Sequence, residues 1–219
     1  MRKTPFAIGE FYHIYNRGTD HRDIVKDLFD KQRFLKSIIE FNNIEPIGSI
    51  YEEDYRKKSL DTLTIKSKPK NKLANIIAYC LNLNHFHLIL EQESDKGIEK
   101  FMQRIGGGFT RYFNEKYNRN GVLFQGKFKS IHVDSDEYLL HLSAYVNLND
   151  RVHKIPPGNA CSSWDEYLGK NQSDEICFKN IILDRFKDKE DYMKFAEDTV
   201  EGIISNREED DRLSELLLE

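Results

Sequence analysis

The sequence predicts an α+β protein with a ferredoxin-like, RRM-like fold, in which helices cover one face of an antiparallel sheet and a helical tail follows. The first observation is the order of the predicted elements, which is strand, helix, strand, strand, helix, strand, helix. The second is that apolar residues recur at helical spacing within the predicted helices. The third is a chain of 219 residues with 39% hydrophobic residues, which is enough for one sizeable core.

The first half of this fold is predicted to run from a strand through a helix to a second strand. Glu10–Arg17 is rich in aromatic and branched residues, as strands are. Lys26–Phe41 has apolar residues at helical spacing. Ile47–Tyr51 is predicted to begin the second strand, and the polar, lysine-rich Glu52–Lys72 to form an extended hairpin tip or loop.

The middle of the chain is predicted to contain a long strand region and a helix with a glycine run. Leu73–Gln92 is apolar, and a turn or bulge is expected near Asn82–Asn84 because asparagine suits turns. Lys96–Tyr117 has helical spacing but contains Gly106–Gly108, and each glycine weakens a helix by about 1 kcal/mol relative to Ala. The run indicates either a kink or a close approach of a phosphate to bare backbone, and the sequence leaves both open.

The last strand and the remaining helices are predicted beyond residue 120. Gly121–Val133 is expected to be a strand with a glycine bulge. Ser135 is a suitable N-cap for a helix over Asp136–Asn149, which ends before a Pro-Pro break. A tail helix is predicted over Lys189–Ser205, and the acidic Asn206–Glu219 either continues it or frays.

Charge is distributed unevenly along the chain. Residues 1–154 contain 25 basic and 20 acidic residues, a net of +5, whereas residues 155–219 contain 8 and 17, a net of −9. This predicts a main domain over residues 1–154 and an acidic, mainly helical extension over residues 155–219. Residues 100–133 contain seven basic residues and one acid, a net of +6. Such a segment is either a surface for a phosphate backbone or a solvated helix face.

Composition argues against membrane and secreted classes of protein. No apolar run reaches the length of about 18 residues that a membrane-spanning helix requires. The N-terminal residues lack the apolar core of a signal peptide. Cys80, Cys161 and Cys177 are an odd number of cysteines without metal-knuckle spacing. We therefore expect a cytoplasmic protein with no membrane partner and no disulfide framework.

Two histidines, His85 and His87, are separated by one residue within the apolar run Asn84–Leu90. Successive side chains of a strand alternate between its faces, so both imidazoles would project from one face, about 7 Å apart. Neutral imidazole nitrogens on one face suit a metal ion. The alternative is two polar residues on the solvated face of an amphipathic strand.

The predicted helix Asp136–Asn149 presents Tyr145 and Asn149 one turn apart on one face. If that face meets the histidine face of the strand, a phenol and an amide oxygen approach two imidazoles. His85, His87 and Asn149 would then form a three-ligand metal site with Tyr145 beside it as a nucleophile. The alternative is that the Tyr145 ring packs into the core and Asn149 only caps the helix.

Four ordered segments resemble the single-tyrosine HUH transposases of insertion sequences, and within them the REP-associated tyrosine transposases. The resemblance covers about residues 9–169, and its segments are Phe11–Asp27, Ala78–Leu90, Phe101–Asn149 and Cys161–Gly169. The family often has Met-Pro where this chain has Asn82-Leu83. It commonly has Asn-Pro-Val-Arg where this chain has Asn149-Asp150-Arg151-Val152, which puts the end of the helix in doubt.

The resemblance implies a role for each residue of the motif. The histidine–hydrophobic–histidine motif falls on His85-Phe86-His87, the nucleophilic tyrosine on Tyr145 and the third metal ligand on Asn149. It implies a single-stranded DNA transesterase, a transposase, with Mg²⁺ or Mn²⁺ on these ligands. Attack by Tyr145 would leave a 5′-phosphotyrosine and a free 3′-OH. The implied partner is single-stranded DNA with an imperfect hairpin and a short guide sequence, and the implied location is the nucleoid of a prokaryote.

Candidate DNA contacts are basic residues of the +6 segment together with Arg17 and Arg22 near the N-terminus, and three aromatic residues are candidates for base stacking. The basic candidates are Arg17, Arg22, Arg104, Arg111, Arg119, Lys127 and Lys129, and the aromatic candidates are Tyr12, Tyr15 and Phe124.

Two other functions remain open from the sequence. One is a metal-dependent phosphodiester hydrolase that uses water, and the other is a domesticated, non-catalytic hairpin-binding protein. The sequence also leaves open the hairpin sequence, the choice of metal, and whether the chain is a homodimer or a monomer.

Overall fold

A computed structural model describes residues 5–53, 71–170 and 175–216 of the chain, with side chains of the last helix described to residue 207. The strands are β1 (Phe11–Arg17), β2 (Ala74–Leu81), β3 (His85–Gln92), β4 (Lys129–Val133) and β5 (Cys161–Ser162). They form one antiparallel sheet in the order β4-β1-β3-β2-β5. The first four strands have the order expected of a ferredoxin-like fold, and β5 extends the β2 edge.

The helices are α1 (Leu28–Glu40), α2 (Gly97–Lys116), α3 (Asp136–Asn147), α4 (Asn149–Val152), α5 (Trp164–Tyr167), α6 (Asn180–Leu183) and α7 (Lys189–Leu216). Two long helices, α1 and α2, connect strands of the sheet, and the helices numbered α3 to α7 follow the fourth strand. The caps follow the sequence. The side chain of Asp27 accepts from the Asp30 amide at the start of α1, and Ser135 Oγ, as predicted, accepts from the Tyr138 amide at the start of α3.

The two faces of β3 carry different types of side chain. Phe86 points towards α1, with its ring centroid 5.3 Å from that of Phe34, and Phe34 in turn meets Phe109 of α2 at 5.1 Å. His85 and His87 point to the opposite face, where α3 lies. The α+β, ferredoxin-like prediction is confirmed, with α1 and α2 on one face of the sheet. Helix α3 adds a layer over the histidine face, and the C-terminal region is helical as predicted.

The predicted second strand at Ile47–Tyr51 is wrong. Residues 47–49 are irregular and residues 50–53 are helical, with Ile50 fully buried. Instead, the apolar stretch before the histidines is long enough to supply both strands of the hairpin β2–β3. The hairpin turns at Asn82–Asn84, where a turn was expected, and the Asn82 amide donates to the His85 carbonyl at 2.9 Å. Most of the predicted hairpin tip Glu52–Lys72 lies outside the described residues.

The strand predicted over Gly121–Val133 is shorter than expected, because only β4 pairs regularly. Gly121 and Gly126 have φ values of +86° and +68°, a left-handed conformation that regular strands do not contain. Before β4, Phe124 makes an isolated bridge to Gly18. The segment 121–128 therefore forms a loop beside β1 and α2.

The glycine run lies inside α2, and the helix continues through it. A Cβ atom added to Gly108 would lie 2.7 Å from Cε2 of the buried Phe41 ring, so glycine allows α1 and α2 to approach closely there. A Cβ atom at Gly106 or Gly107 would meet no atom within 4 Å. Packing among the described residues therefore explains Gly108 but not its two neighbours.

This difference predicts opposite effects of alanine within one glycine run. Gly106→Ala and Gly107→Ala are expected to raise the free energy of unfolding by up to about 1 kcal/mol each, because alanine favours the helix. Gly108→Ala is expected to lower it, because overpacking costs about 1–3 kcal/mol. Urea unfolding of the three single variants gives the comparison. Destabilisation by Gly107→Ala would show that the site is not open.

The end of α3 differs from the prediction. The helix ends at Asn147, and Leu148, with φ −111° and ψ 28°, separates it from α4, which begins at Asn149. Tyr145 and Asn149 are therefore not on one continuous helix. The chain has Asp150-Arg151-Val152 at the positions where the family resemblance placed the helix end in doubt, and a new short helix forms there.

The C-terminal extension contacts the main sheet and α3. β5 pairs with β2, and the fully buried Tyr192 of α7 accepts a hydrogen bond from Asn147 Nδ2 at 2.9 Å. Arg151 and Glu197 form an ion pair at 2.9 Å between α4 and α7. Helix α7 continues to residue 216, so the acidic segment after Ser205 is helical to that point. The division at residue 154 stays a prediction.

None of the helices in the described part of the chain has the length and apolar character to cross a bilayer. All three cysteines carry free thiols, and burial raises the pKa of Cys80 and of Cys177.

Candidate metal and tyrosine site

The two histidines of β3 lie side by side under α3. Their ring centroids are 5.2 Å apart, edge to face, and His87 is 8% exposed. Burial lowers the pKa of His85 to about 4 and holds the pKa of His87 well below its usual range. Both rings are therefore neutral at pH 7, which is the form that binds metal ions.

His13 of β1 is a third histidine at this site, and the sequence reasoning missed it. His13 Nε2 and His87 Nδ1 share a hydrogen bond of 2.8 Å, and burial lowers the pKa of His13 to about 4. A proton on His87 Nδ1 that is donated to neutral His13 leaves His87 Nε2 with a free lone pair. The signal was present: strand alternation places His13 and Tyr15 on one face of β1, and β1 pairs with β3.

His85 is oriented by two asparagines of the β2–β3 turn. His85 Nδ1 lies 2.6 Å from Asn84 Oδ1, an acceptor, so the proton of a neutral ring belongs on Nδ1. His85 Nε2 then accepts from Asn82 Nδ2 at 2.7 Å. The ring of His153, just after α4, lies 5.4 Å from that of His85 and closes one side of the site. Metal ligands are commonly held by second partners in this way.

Asn149 is fully buried at the start of α4 and reaches the same place. Its Oδ1 accepts from Asn82 Nδ2 at 2.7 Å, while its own Nδ2 is buried without a partner among the described residues. His85 Nε2 and Asn149 Oδ1 thus approach one amide group from two sides. Two neutral imidazoles and an amide oxygen are a ligand set that fits a divalent cation.

Across the described residues, His, Cys, Asp and Glu side chains form no group of three or more that could hold a metal ion. The predicted metal set therefore depends on an amide oxygen as its third ligand.

Tyr145 of α3 stands over the histidine pair. Its ring centroid is 5.6 Å from that of His87 and 6.4 Å from that of His13, edge to face in both cases. The side chain is half-buried. The structure thus brings the four predicted residues, Tyr145, His85, His87 and Asn149, to one place. The phenol lies against imidazoles at a partly open surface, not within the apolar core.

The predicted DNA-binding residues do not form one cluster, and they differ in how many hydrogen bonds and ion pairs they make within the protein. Arg17 follows the histidine face of β1, opposite His85, and donates to Gln125. Arg22 donates to the Thr19 carbonyl at 2.9 Å and pairs with Asp20. Arg104 donates to the carbonyls of Phe41, Asn43 and Ile44, which fixes the end of α1.

Three of the four remaining basic candidates border a groove between α2 and the loop 121–128. The groove has a volume of about 1270 Å³, and Gly106 and Gly107 form part of its wall. Arg111, Arg119 and Lys127 line it. Arg111 is exposed and pairs with Glu115 at 2.9 Å, whereas Arg119 donates to Asn114 at 2.6 Å. Lys129 lies outside the groove on β4, 5.9 Å from the Tyr15 ring centroid.

Two of the three residues considered for base stacking are buried, so that prediction is wrong for them. Tyr12 is 2% exposed and Phe124 is 8% exposed, because their rings fill the core on the helix face. Tyr15 is half-buried and stacks on His87 with ring centroids 5.9 Å apart, so it faces the candidate metal site and not the groove.

Comparison with known proteins agrees with this arrangement. Residues 50–149 match the family model described as "Transposase IS200 like". The fold is similar to that of a solved REP-associated tyrosine transposase bound to a REP hairpin, with a TM-score of 0.52 and 12% sequence identity. That similarity covers 80% of this chain and 92% of the other. No curated protein sequence matches the chain significantly.

The matched segment contains the histidine pair, Tyr145 and Asn149, and ends at the last of them. The structural likeness concerns the fold, since the two sequences differ at most positions. Over residues 50–149, the chain is therefore similar to the IS200-like transposases.

Proposed function

We propose that this protein is a transposase of the IS200-like kind, a metal-dependent, single-stranded DNA strand transferase that uses Tyr145 as its nucleophile. One observation carries the proposal: the ring of Tyr145 lies 5.6 Å from that of His87, beside the place where His85 and Asn149 meet. The resemblance to single-tyrosine HUH transposases supports the same roles for these residues.

The ligands proposed for Mg²⁺ or Mn²⁺ are His85, His87 and Asn149. The cation would polarise a DNA phosphate and stabilise the negative charge that develops on it. With a proton on His87 Nδ1 donated to His13 and a proton on His85 Nδ1 donated to Asn84, both Nε2 atoms would carry lone pairs for the cation. Because the proposed ligands are neutral, they would not reduce the net positive charge of the cation, and that charge would act on the phosphate.

Tyr145 would attack the phosphorus atom of a bound strand. A bond forms between its phenolic oxygen and phosphorus, the bond from phosphorus to the 3′-oxygen breaks, and the phenolic proton is lost while the leaving 3′-oxygen gains one. The products are a 5′-phosphotyrosine and a free 3′-OH. Because one phosphoester replaces another, the strand can be rejoined without ATP. A free phenol has a pKa near 10, so electrostatic stabilisation is needed for attack at neutral pH.

DNA is the proposed partner of the groove between α2 and the loop 121–128. The solved transposase of similar fold is described as bound to a REP hairpin, which supports a hairpin as ligand here. Gly106 and Gly107 leave the backbone of the groove wall uncovered by side chains. Packing does not require glycine at either position, because an added Cβ atom would meet no atom within 4 Å. A phosphate backbone can approach such a wall closely. Arg111 and Lys127 supply positive charge at its edge.

Charge reversal at Arg111 and Lys127 of the groove, together with Lys129 on the neighbouring strand β4, tests this basic surface. We expect weaker binding to every hairpin and a shallower dependence of log K on log salt, by about 2 units for three lost single-strand phosphate contacts. Fluorescence anisotropy across a salt series measures both quantities. Reversal at Lys187, Lys189 and Lys194, which are exposed on the tail side, changes the net charge equally and is the control. Equal slopes in the two variants would remove the groove surface from the proposal.

The experiment that tests the whole function is incubation of the protein with a labelled single-stranded hairpin library and Mn²⁺, followed by a denaturing gel. We expect a band of protein covalently joined to DNA. Cleavage without an attached strand would indicate a hydrolase that uses water. Tight binding with no cleavage in Mg²⁺ or Mn²⁺ would indicate a hairpin-binding protein that has lost catalysis.

A further inference from the structure

Asn82, in the turn after β2, lies at the centre of the site although the proposed metal set does not include it. Its side chain is 1% exposed. Nδ2 lies 2.7 Å from His85 Nε2 and 2.7 Å from Asn149 Oδ1. At the other end of the amide, the described partner of Oδ1 is Cys80 Sγ at 3.4 Å, a weak donor. One end of this amide thus engages two proposed ligand atoms.

These distances are those between neighbouring ligands of a cation. Ligand atoms at right angles around Mg²⁺, with bonds of about 2.1 Å, lie about 3 Å apart. The terminal atom of Asn82 has nearly this separation from both His85 Nε2 and Asn149 Oδ1. The terminal atom of Asn82 therefore has the position of a third ligand beside His85 Nε2 and Asn149 Oδ1. It does not have the position of the ion itself, because an ion would lie closer to both of these atoms.

The asparagine side chain can present an oxygen at that place. Rotation by half a turn about the Cβ–Cγ bond exchanges Nδ2 and Oδ1 with little change in shape. An amide oxygen is a ligand that hard cations accept. In the orientation described, the two N–H groups of Asn82 instead satisfy the lone pairs of His85 and Asn149.

We propose that Asn82 is a further ligand of the catalytic cation, with its amide rotated so that Oδ1 faces the ion. The site then consists of imidazole nitrogens from His85 and His87 and amide oxygens from Asn82 and Asn149. This inference rests on the proposed function, because it extends the same metal site. The rival view is that Asn82 only fills the site when no cation is bound and must leave when one enters.

The two views predict opposite changes in metal affinity. If Asn82 is a ligand, Asn82→Ala weakens Mn²⁺ binding on the order of tenfold or more. Asn82→Asp keeps the shape, adds a charged oxygen and strengthens binding by a similar factor. If Asn82 only fills the site, Asn82→Ala binds Mn²⁺ as tightly as the unmodified chain or more tightly. Asn75→Ala, on β2 away from the site, is the matched control and leaves the affinity unchanged.

The measurement is titration of the full chain with Mn²⁺, followed by calorimetry and by the electron paramagnetic resonance signal of free Mn²⁺, with no DNA present. Unchanged or tighter binding by a folded Asn82→Ala variant overturns the inference. If circular dichroism shows that Asn82→Ala does not fold, Asn82→Asp provides the test. The inference is then overturned if Asn82→Asp binds Mn²⁺ no more tightly than the unmodified chain.

The proposed function fails in a different way. If the unmodified chain binds no Mn²⁺, both the metal function and the role of Asn82 are lost. If His85→Ala binds Mn²⁺ as well as the unmodified chain while Asn82→Ala does not, the proposed histidine ligand is wrong and Asn82 remains a ligand.

Discussion

Tyr145→Phe is expected to abolish the covalent protein–DNA adduct and to lower strand cleavage by on the order of 10³-fold or more, as removal of a nucleophile does in other enzymes. The change removes one oxygen atom and keeps the ring against His87 and His13. No hydrogen bond of the Tyr145 hydroxyl is found among the described residues, so the free energy of unfolding should change by less than about 1 kcal/mol.

Hairpin binding and Mn²⁺ binding should persist in Tyr145→Phe, because neither the groove nor the proposed metal ligands are altered. Anisotropy and Mn²⁺ titration measure these two properties. Tyr138→Phe is the matched control: it removes a hydroxyl from the same helix, two turns earlier, about 10 Å along the axis. That variant should still form the adduct.

Mass spectrometry of the trapped adduct identifies the nucleophile directly. A nucleotide on any residue other than Tyr145, or an adduct formed by Tyr145→Phe, would overturn the mechanism. Cleavage by Tyr145→Phe without an adduct would indicate that water can attack the phosphate in place of the phenol.

The helices and most strands were predictable because each is encoded locally. The apolar spacing of α1 and α2 and the cap at Ser135 lie within short windows of sequence. The second strand was misplaced because Ile47–Tyr51 and the apolar stretch before His85 are both compatible with a strand in isolation. The choice between them depends on long-range pairing with β3, which local propensity does not contain.

Site residues were predictable where a single strand or helix contains the sequence pattern. They were not predictable where side chains from several strands and helices come together. His85 and His87 were found because strand alternation places both on one face. His13 comes from β1 and meets His87 only through the register of β1 and β3. Asn82 is close to His85 in sequence, but its approach to Asn149 is tertiary. Without the strand order, neither residue could be assigned to the site.

His85→Ala is the second change with a large expected effect, and it separates catalysis from binding. We expect strand cleavage to fall by on the order of 10²-fold or more, because the proposed cation loses a ligand and with it the charge that stabilises the phosphate. Hairpin affinity should stay within about threefold, since it comes from phosphate neutralisation by basic residues elsewhere.

His85 is preferable to His87 for this test, because removal of His87 would leave the buried His13 without its partner, at a cost of about 1–3 kcal/mol. His132→Ala is the control: it removes a histidine from β4 that pairs with Glu10 at a partly exposed edge. Cleavage on denaturing gels and anisotropy on the same hairpin give the two readouts. If His85→Ala cleaves as well as His132→Ala, the histidine face of β3 is not the metal site. The position of Tyr145 beside that face would then no longer support its role as the nucleophile.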